Sequence, residues 1–285
     1  MSTKVLLSPH ELFALSVSEP VVIIDTRDPE DYAKGHIPNA VNIREIFTYL
    51  ADSTPEGIAN MSNTFADIFG KAGLSGEETA IVYEEAMNKG FGQSCRGYFL
   101  LKYLGYPKVA VLHGGYQAWL SAGLPVSNQP ADPVTKSFPV HINSEIWLTK
   151  EDMLAAIGKE EIVILDVRDR DEWMGESSSP YGKDFCPRKG RIPGAVWIEW
   201  YNFMDTGREP VLYKSRAEIL EMCRSKGVTP DKSIYVYCFK GSRASNTLVA
   251  LKEAGFSDVR NYFASWNEWS RFPELPIETG VPAMT

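Results

Sequence analysis

The segment Cys238-Phe239-Lys240-Gly241-Ser242-Arg243 gathers a thiol, a hydroxyl, a glycine and two cations into six residues. A cysteine does chemistry as its thiolate, and nearby positive charge favours that form. The apolar run Ile234-Tyr235-Val236-Tyr237 comes before the segment, and a helical pattern begins near Ala244-Ser245-Asn246. The loop therefore joins the carboxyl end of a strand to the amino end of a helix. Successive backbone N–H groups in such a loop can converge on one atom, and the helix terminus adds a partial positive charge. Lys240 and Arg243 add full ones. The pattern favours a thiolate at Cys238 and offers a cradle for an anionic sulfur or an oxyanion. Cys238 is the expected nucleophile, with Phe239, Lys240, Gly241, Ser242 and Arg243 around the substrate. A cysteine after a strand is otherwise a small core hydrophobe, but a glycine and two cations are poor company for a core.

The elements that must hold this loop occur twice. Val21-Val22-Ile23-Ile24-Asp25-Thr26-Arg27 is matched by Ile162-Val163-Ile164-Leu165-Asp166-Val167-Arg168. Continuous apolar runs of this length suit buried parallel strands. The turn Gly35-His36-Ile37-Pro38-Asn39-Ala40-Val41 is matched by Gly190-Arg191-Ile192-Pro193-Gly194-Ala195-Val196. Helical spacing over Thr64–Lys71 and Arg216–Cys223 ends near Gly73 and Gly227, as a C-cap would. Central strands follow at Ala80–Tyr83 and Ile234–Tyr237, then the pair Gly114-Gly115-Tyr116-Gln117-Ala118-Trp119 and Ala264-Ser265-Trp266-Asn267-Glu268-Trp269. Five matched segments in one order mean two copies of one α/β domain. Each copy is expected to be an open, mainly parallel sheet covered by helices on both faces. The expected boundaries are residues 1–124, a proline-rich linker over 125–143, and residues 144–285.

The copies diverge where ligands bind in such folds, outside the carboxyl ends of the strands. Counted from Gly73 and Gly227, Glu84 stands where the second copy has Cys238. A carboxylate there would compete with an anionic ligand and is no sulfur nucleophile, so the first copy is expected to be silent. Cys95, beyond its longer loop, is read as structural. Asp166 and Arg168 are read as structural too, since Asp25 and Arg27 repeat them in the silent copy. Trp266 and Trp269 are read as core.

Composition bounds the rest. Hydrophobic residues make up 44% of 285, enough for two cores. A net charge of −8 offers no basic surface for a phosphate backbone, so no nucleic acid partner is expected. No apolar run reaches the ~18 residues of a membrane span. Met1–Ser8 is too short and too soon interrupted for a secretory signal. Cys95, Cys186, Cys223 and Cys238 show no paired spacing and read as free thiols of a reducing compartment, the cytoplasm. The four histidines form no metal pattern; no metal or organic cofactor is expected.

Taken in order, Asp25-Thr26-Arg27, Gly35-His36-Ile37-Pro38, Gly-Gly-Tyr-Gln-Ala-Trp, the Cys238–Arg243 loop and Ser265-Trp266-Asn267-Glu268-Trp269 resemble the tandem-domain rhodaneses. These are thiosulfate or 3-mercaptopyruvate sulfurtransferases. The resemblance runs from about Leu7 to about Gly280. It implies two rhodanese-like domains, an inactive first and an active second, a site at their interface, and a cysteine persulfide in a ping-pong cycle. A small anionic sulfur donor and a thiol or cyanide acceptor would be the partners. Six-residue loops in this family handle sulfur, whereas phosphatase-like relatives carry one residue more. Lys240 and Gly241 match the thiosulfate type, while Phe239, Ser242 and Arg243 depart from both subclasses. Thiosulfate is the expected donor, with 3-mercaptopyruvate as the alternative. A phosphatase or arsenate reductase and a noncatalytic interaction module are the remote ones. The resemblance also implies a substrate-binding arginine from the insert before Ile192, for which Arg188 is the first candidate and Arg191 the second. Cys186, in the same insert, is read as a passive thiol.

Overall fold

The computed structural model describes residues 4–280, in two compact units. Unit 1 takes the described residues up to Tyr49, then Ile58–Ser144 and Met204–Tyr213. Unit 2 takes Leu50–Gly57, Glu145–Phe203 and the described residues from Lys214 onward. The strands, in chain order, begin with β1 (Leu6–Leu7), β2 (Val21–Asp25), β3 (Val41–Asn42), β4 (Thr79–Tyr83) and β5 (Val109–Leu112). Then come β6 (Ile162–Asp166), β7 (Val196–Trp197), β8 (Met204–Asp205), β9 (Leu212–Tyr213), β10 (Ser233–Tyr237) and β11 (Val259–Asn261).

The sheet of unit 1 has the order β1-β5-β4-β2-β3, with every pairing parallel. Every residue of β4 is buried. Successive side chains point to opposite faces of a sheet, so both faces are covered there, as the apolar runs predict. Unit 2 has the order β11-β10-β6-β7, again parallel throughout. Register places Asp25 beside Tyr83 and Asp166 beside Tyr237, so each acidic residue lies at the carboxyl end of its sheet.

Local chemistry explains the helices. Ser215 caps Arg216–Arg224: its hydroxyl accepts from Glu218 N, and the Glu218 carboxylate accepts the Ser215 N–H at 2.8 Å. Such a box contributes about 1 kcal/mol. Gly227 ends that stretch at φ +73°. The helix expected over Thr64–Lys71 is longer, Pro55–Lys71, and opens on a proline, which costs nothing where the N–H has no partner.

Two features were not expected. The segment over 125–143 is laid along unit 1 as a strap. Ser127 and His36 exchange backbone bonds at 2.9 and 2.8 Å, Asn143 N reaches Tyr103 O at 2.7 Å, and Phe138 stacks on Tyr106. Also, short segments belong to the unit their sequence position would not suggest. The antiparallel pair β8–β9 is part of unit 1, where Tyr213 N donates to His113 Nε2 at 2.9 Å. Ser53 is part of unit 2, where its N and Oγ donate to the Glu268 carboxylate at 2.6 and 2.7 Å.

Candidate active site

The scaffold under Cys238 is an invariant of the repeat. Arg168 grips Asp166 with its Nε and Nη2 and donates to Gly190 O at 2.7 Å; Arg27 does the same with Asp25 and Gly35 O, also at 2.7 Å. Tyr237 OH donates to Asp166 at 2.6 Å, as Tyr83 OH does to Asp25. Charges this deeply buried persist because they are paired and hydrogen-bonded. Their presence in both copies assigns them to holding strand ends in place. Trp266 and Trp269 are fully buried, with the Arg168 guanidinium 4.4 Å above the Trp266 ring centroid.

The main chain confirms which residues correspond. Trp266 N donates to Cys238 O at 3.0 Å, and Tyr116 N donates to Glu84 O at 2.8 Å. Glu84 thus occupies the place of the cysteine. Its carboxylate accepts from Gln93 N at 2.9 Å and Ser94 Oγ at 2.8 Å, at the start of the Gln93–Tyr103 helix. Burial pushes Glu84 up to about 8 against the pull of those hydrogen bonds. Cys95 is pushed up to about 12 by burial and by Glu84, and its sulfur lies 3.3 Å from Tyr213 OH. Neither residue is a nucleophile near neutral pH.

In unit 2 the chain leaves β10 at Tyr237 and enters the Ser242–Ala254 helix, with Gly241 as N-cap at φ +81°. A Cβ on Gly241 would lie 2.6 Å from Phe263 O, so only glycine fits this turn. The turn brings Gly241 N to 3.1 Å from Cys238 Sγ, as a donor. The helix begins one residue later, and its first-turn N–H groups have no intrahelical carbonyl to meet. Ser242 Oγ, in the same loop, is buried without a hydrogen-bond partner among the described residues. Cys238 itself is 1% exposed.

The two cations of the loop are held differently. Arg243 is buried and spent on carboxylates: Nη1 donates to Glu172 Oε2 at 2.6 Å, Nη2 to Glu172 Oε1 at 3.1 Å, and Asp169 lies 3.0 Å away. Burial works against its charge, but Glu172 outweighs that and holds Arg243 well above the usual guanidinium range. Arg243 therefore braces the loop rather than reaching freely for an anion. The Lys240 ammonium sits 5.0 Å from the Tyr181 ring centroid. Phe239 is covered edge-on by Tyr181 and Phe185, with centroids 5.2 and 5.9 Å away.

Arg188, expected at the substrate, is placed against the main chain after the Ser265–Trp269 helix. Its guanidinium donates to the carbonyls of Ser270 at 3.0 Å, Leu275 at 2.7 Å and Trp269 at 2.8 Å, and to Phe272 O. Four main-chain acceptors take four of its five N–H donors, so it ties down the chain after the Ser265–Trp269 helix. Arg191 donates to Gly280 O at 2.7 Å and is paired with Glu278. Cys186 is buried, and burial raises its thiol above the ordinary value.

Sequence reasoning missed Glu172 and Ser265. Ser265 has φ +57°, a left-handed conformation rare for serine, and its counterpart Gly115 has φ +64°. The hydroxyl accepts from Cys238 N at 3.2 Å and donates to Tyr262 O at 2.6 Å, tying down the backbone of the cysteine. A glycine replaced by serine at one position of the repeat was the available signal.

Fold and loop together define a class: a tandem α/β protein in which one copy carries a cysteine at a helix-capping loop and the other a buried carboxyl. Residues 8–122 and 149–272 both match the rhodanese-like domain family, and the chain belongs to the rhodanese family of sulfurtransferase enzymes. A thiosulfate sulfurtransferase of Azotobacter vinelandii is 28% identical over 277 residues, covering 97% of this chain and 98% of the relative. A putative thiosulfate sulfurtransferase of Synechococcus elongatus is 33% identical over 270 residues, covering 90% of this chain and 80% of the relative. A solved structure of an EanB variant, in complex with ergothioneine covalently linked with a persulfide cysteine, aligns with a TM-score of 0.84 at 25% identity. It covers 97% of this chain and 70% of EanB.

Proposed function

We propose that this enzyme moves a sulfane sulfur from thiosulfate to cyanide or a thiol through a persulfide on Cys238. The observation that carries the reading is the Gly241 N–H held 3.1 Å from Cys238 Sγ at a helix N-terminus. A donor in that place is fixed before the reaction and stabilises a negative sulfur. In the first half, the Cys238 thiolate attacks the outer sulfur of thiosulfate. The S–S bond of the donor breaks and sulfite departs with the electron pair. The added sulfur needs its own donors, and Ser242 Oγ and the first-turn N–H groups are the unspent ones. In the second half the acceptor attacks that outer sulfur, and Cys238 leaves as thiolate. One difficult transfer becomes two easier displacements. Lys240 supplies the positive charge that meets the donor dianion, while Arg243, through Glu172, keeps the loop in shape.

The names of the thiosulfate-handling relatives and the Lys240-Gly241 pair both favour thiosulfate over 3-mercaptopyruvate. The main-chain carbonyls around Arg188 favour it further, since they draw that arginine away from a donor's carboxylate. The test is purified enzyme given either donor with cyanide as acceptor, measuring thiocyanate. The specificity constant for thiosulfate should exceed that for 3-mercaptopyruvate at least tenfold, and Cys238→Ser should abolish both activities. A preference for 3-mercaptopyruvate would overturn the donor assignment, and thiocyanate formation by Cys238→Ser would overturn the mechanism.

A further inference from the structure

Measured between the Asp166 and Gly190 that Arg168 joins, and the Asp25 and Gly35 that Arg27 joins, the second copy has fourteen extra residues. This insert is stapled by its own serines. Ser178 Oγ accepts from Cys186 N at 2.9 Å, Ser179 Oγ accepts from Tyr181 N at 2.9 Å, and Ser177 Oγ donates to Ser179 O at 2.9 Å. The staples present Tyr181 and Phe185 to Phe239, the residue directly after Cys238. Phe239 is buried beneath them, yet Tyr181 and Phe185 remain 45% and 52% exposed. Their centroids lie 6.1 Å apart, so the open ring surfaces form one patch. Lys240, itself only 7% exposed, brings a positive charge beside the patch, with Nζ 5.0 Å from the Tyr181 centroid. In the first copy the insert is missing, and Glu85 and Ala86 stand where Phe239 and Lys240 would be. A demand of the fold would repeat in both copies. These features occur together only in the copy with the cysteine.

Exposed single hydrophobic residues are ordinary, but adjacent exposed aromatic rings with a polar rim mark a binding surface. We infer that Tyr181, Phe185 and Phe239, with Lys240, form an acceptor subsite that selects thiols carrying a planar aromatic body and an acidic group. The inference rests on the persulfide reading. Stacking on the two open rings aligns the acceptor, and its thiolate attacks the outer sulfur of the Cys238 persulfide. The bond between that sulfur and Cys238 Sγ breaks, the cysteine leaves as thiolate, and the acceptor departs as a persulfide.

The experiment compares discharge of the preformed persulfide by 4-mercaptobenzoate and by cyanide in the wild type, Tyr181→Ala and Phe185→Ala. The ratio of the two specificity constants should fall about tenfold in each variant, in line with the loss of one aromatic contact and its buried area. An unchanged ratio would overturn the proposal, because a merely structural insert would slow both acceptors alike. Sulfur-free 4-methylbenzoate should bind the unloaded wild type, by NMR titration, and bind Phe185→Ala at least fivefold more weakly. Equal binding to both would overturn the subsite. This arm reads the subsite without any sulfur transfer, so a wild type that never loads sulfur would fail the persulfide reading and show it separately.

Discussion

At the scale of residues, electrostatics decide the site. Glu172 and Arg243 are both buried and pair with two contacts. Removing one partner of such a pair leaves an uncompensated charge, which costs about 3–5 kcal/mol. Glu172→Met should lower the melting temperature markedly and slow sulfur loading. The double variant Glu172→Met with Arg243→Met should recover most of the stability and little of the loading. Calorimetry and stopped-flow sulfite release would check the two halves. Full loading in the double variant would remove Arg243 from the brace described here.

Glu84 makes a separate, pH-dependent prediction. Its folded value is raised to about 8 from 4.5, so between those values the folded chain holds a proton that the unfolded chain has lost. Its contribution to stability is present below about pH 4.5 and is lost as the pH rises towards 8. Glu84→Gln removes the titration. The melting temperature of Glu84→Gln relative to wild type should therefore be higher at pH 9 than at pH 5. A difference that is flat or reversed would contradict the buried, protonated carboxyl.

At the scale of elements, the strand–turn–helix unit around Cys238 depends on two left-handed positions. Gly241→Ala forces a Cβ towards Phe263 O at φ +81° and should cost about 1–3 kcal/mol along with most of the activity. Ser265→Gly is more informative. It relieves strain of about 1 kcal/mol but loses both hydrogen bonds of the hydroxyl, worth about 1 kcal/mol each, so stability should fall by only about 1 kcal/mol. Sulfur loading should still slow several-fold, because Cys238 N loses its acceptor. Denaturant unfolding beside single-turnover kinetics would separate the two effects. Undiminished loading would make Ser265 purely a turn residue.

The elements were legible because their signals are local. Apolar runs ending in Asp-x-Arg and the glycines after Thr64–Lys71 and Arg216–Cys223 act within a few residues, and each is repeated. The same repeat aligned the Cys238 loop with its counterpart at Glu84. Long-range pairing carries no period and could not be read. Glu172 meets Arg243 from 71 residues away, and Ser53 meets Glu268 from 215 away. The carbonyl partners of Arg188 were unreadable for a related reason: a lone arginine in an insert is equally suited to an anion and to main-chain carbonyls, and only the tertiary fold brings those carbonyls to it.

At the scale of the whole molecule, duplication has left two frames with one thiol between their equivalent sites. The first keeps the Asp25–Arg27 brace and fills the cradle with its own carboxyl. The second keeps the cradle open and adds an insert. The proposed mechanism therefore predicts one sulfur per chain. Intact-protein mass spectrometry under non-reducing conditions, after incubation with thiosulfate and removal of excess donor, measures this directly. The wild type should gain the mass of a single sulfur atom, reversed by cyanide, and Cys238→Ser should gain none. No gain in the wild type, or an equal gain in Cys238→Ser, would contradict the account.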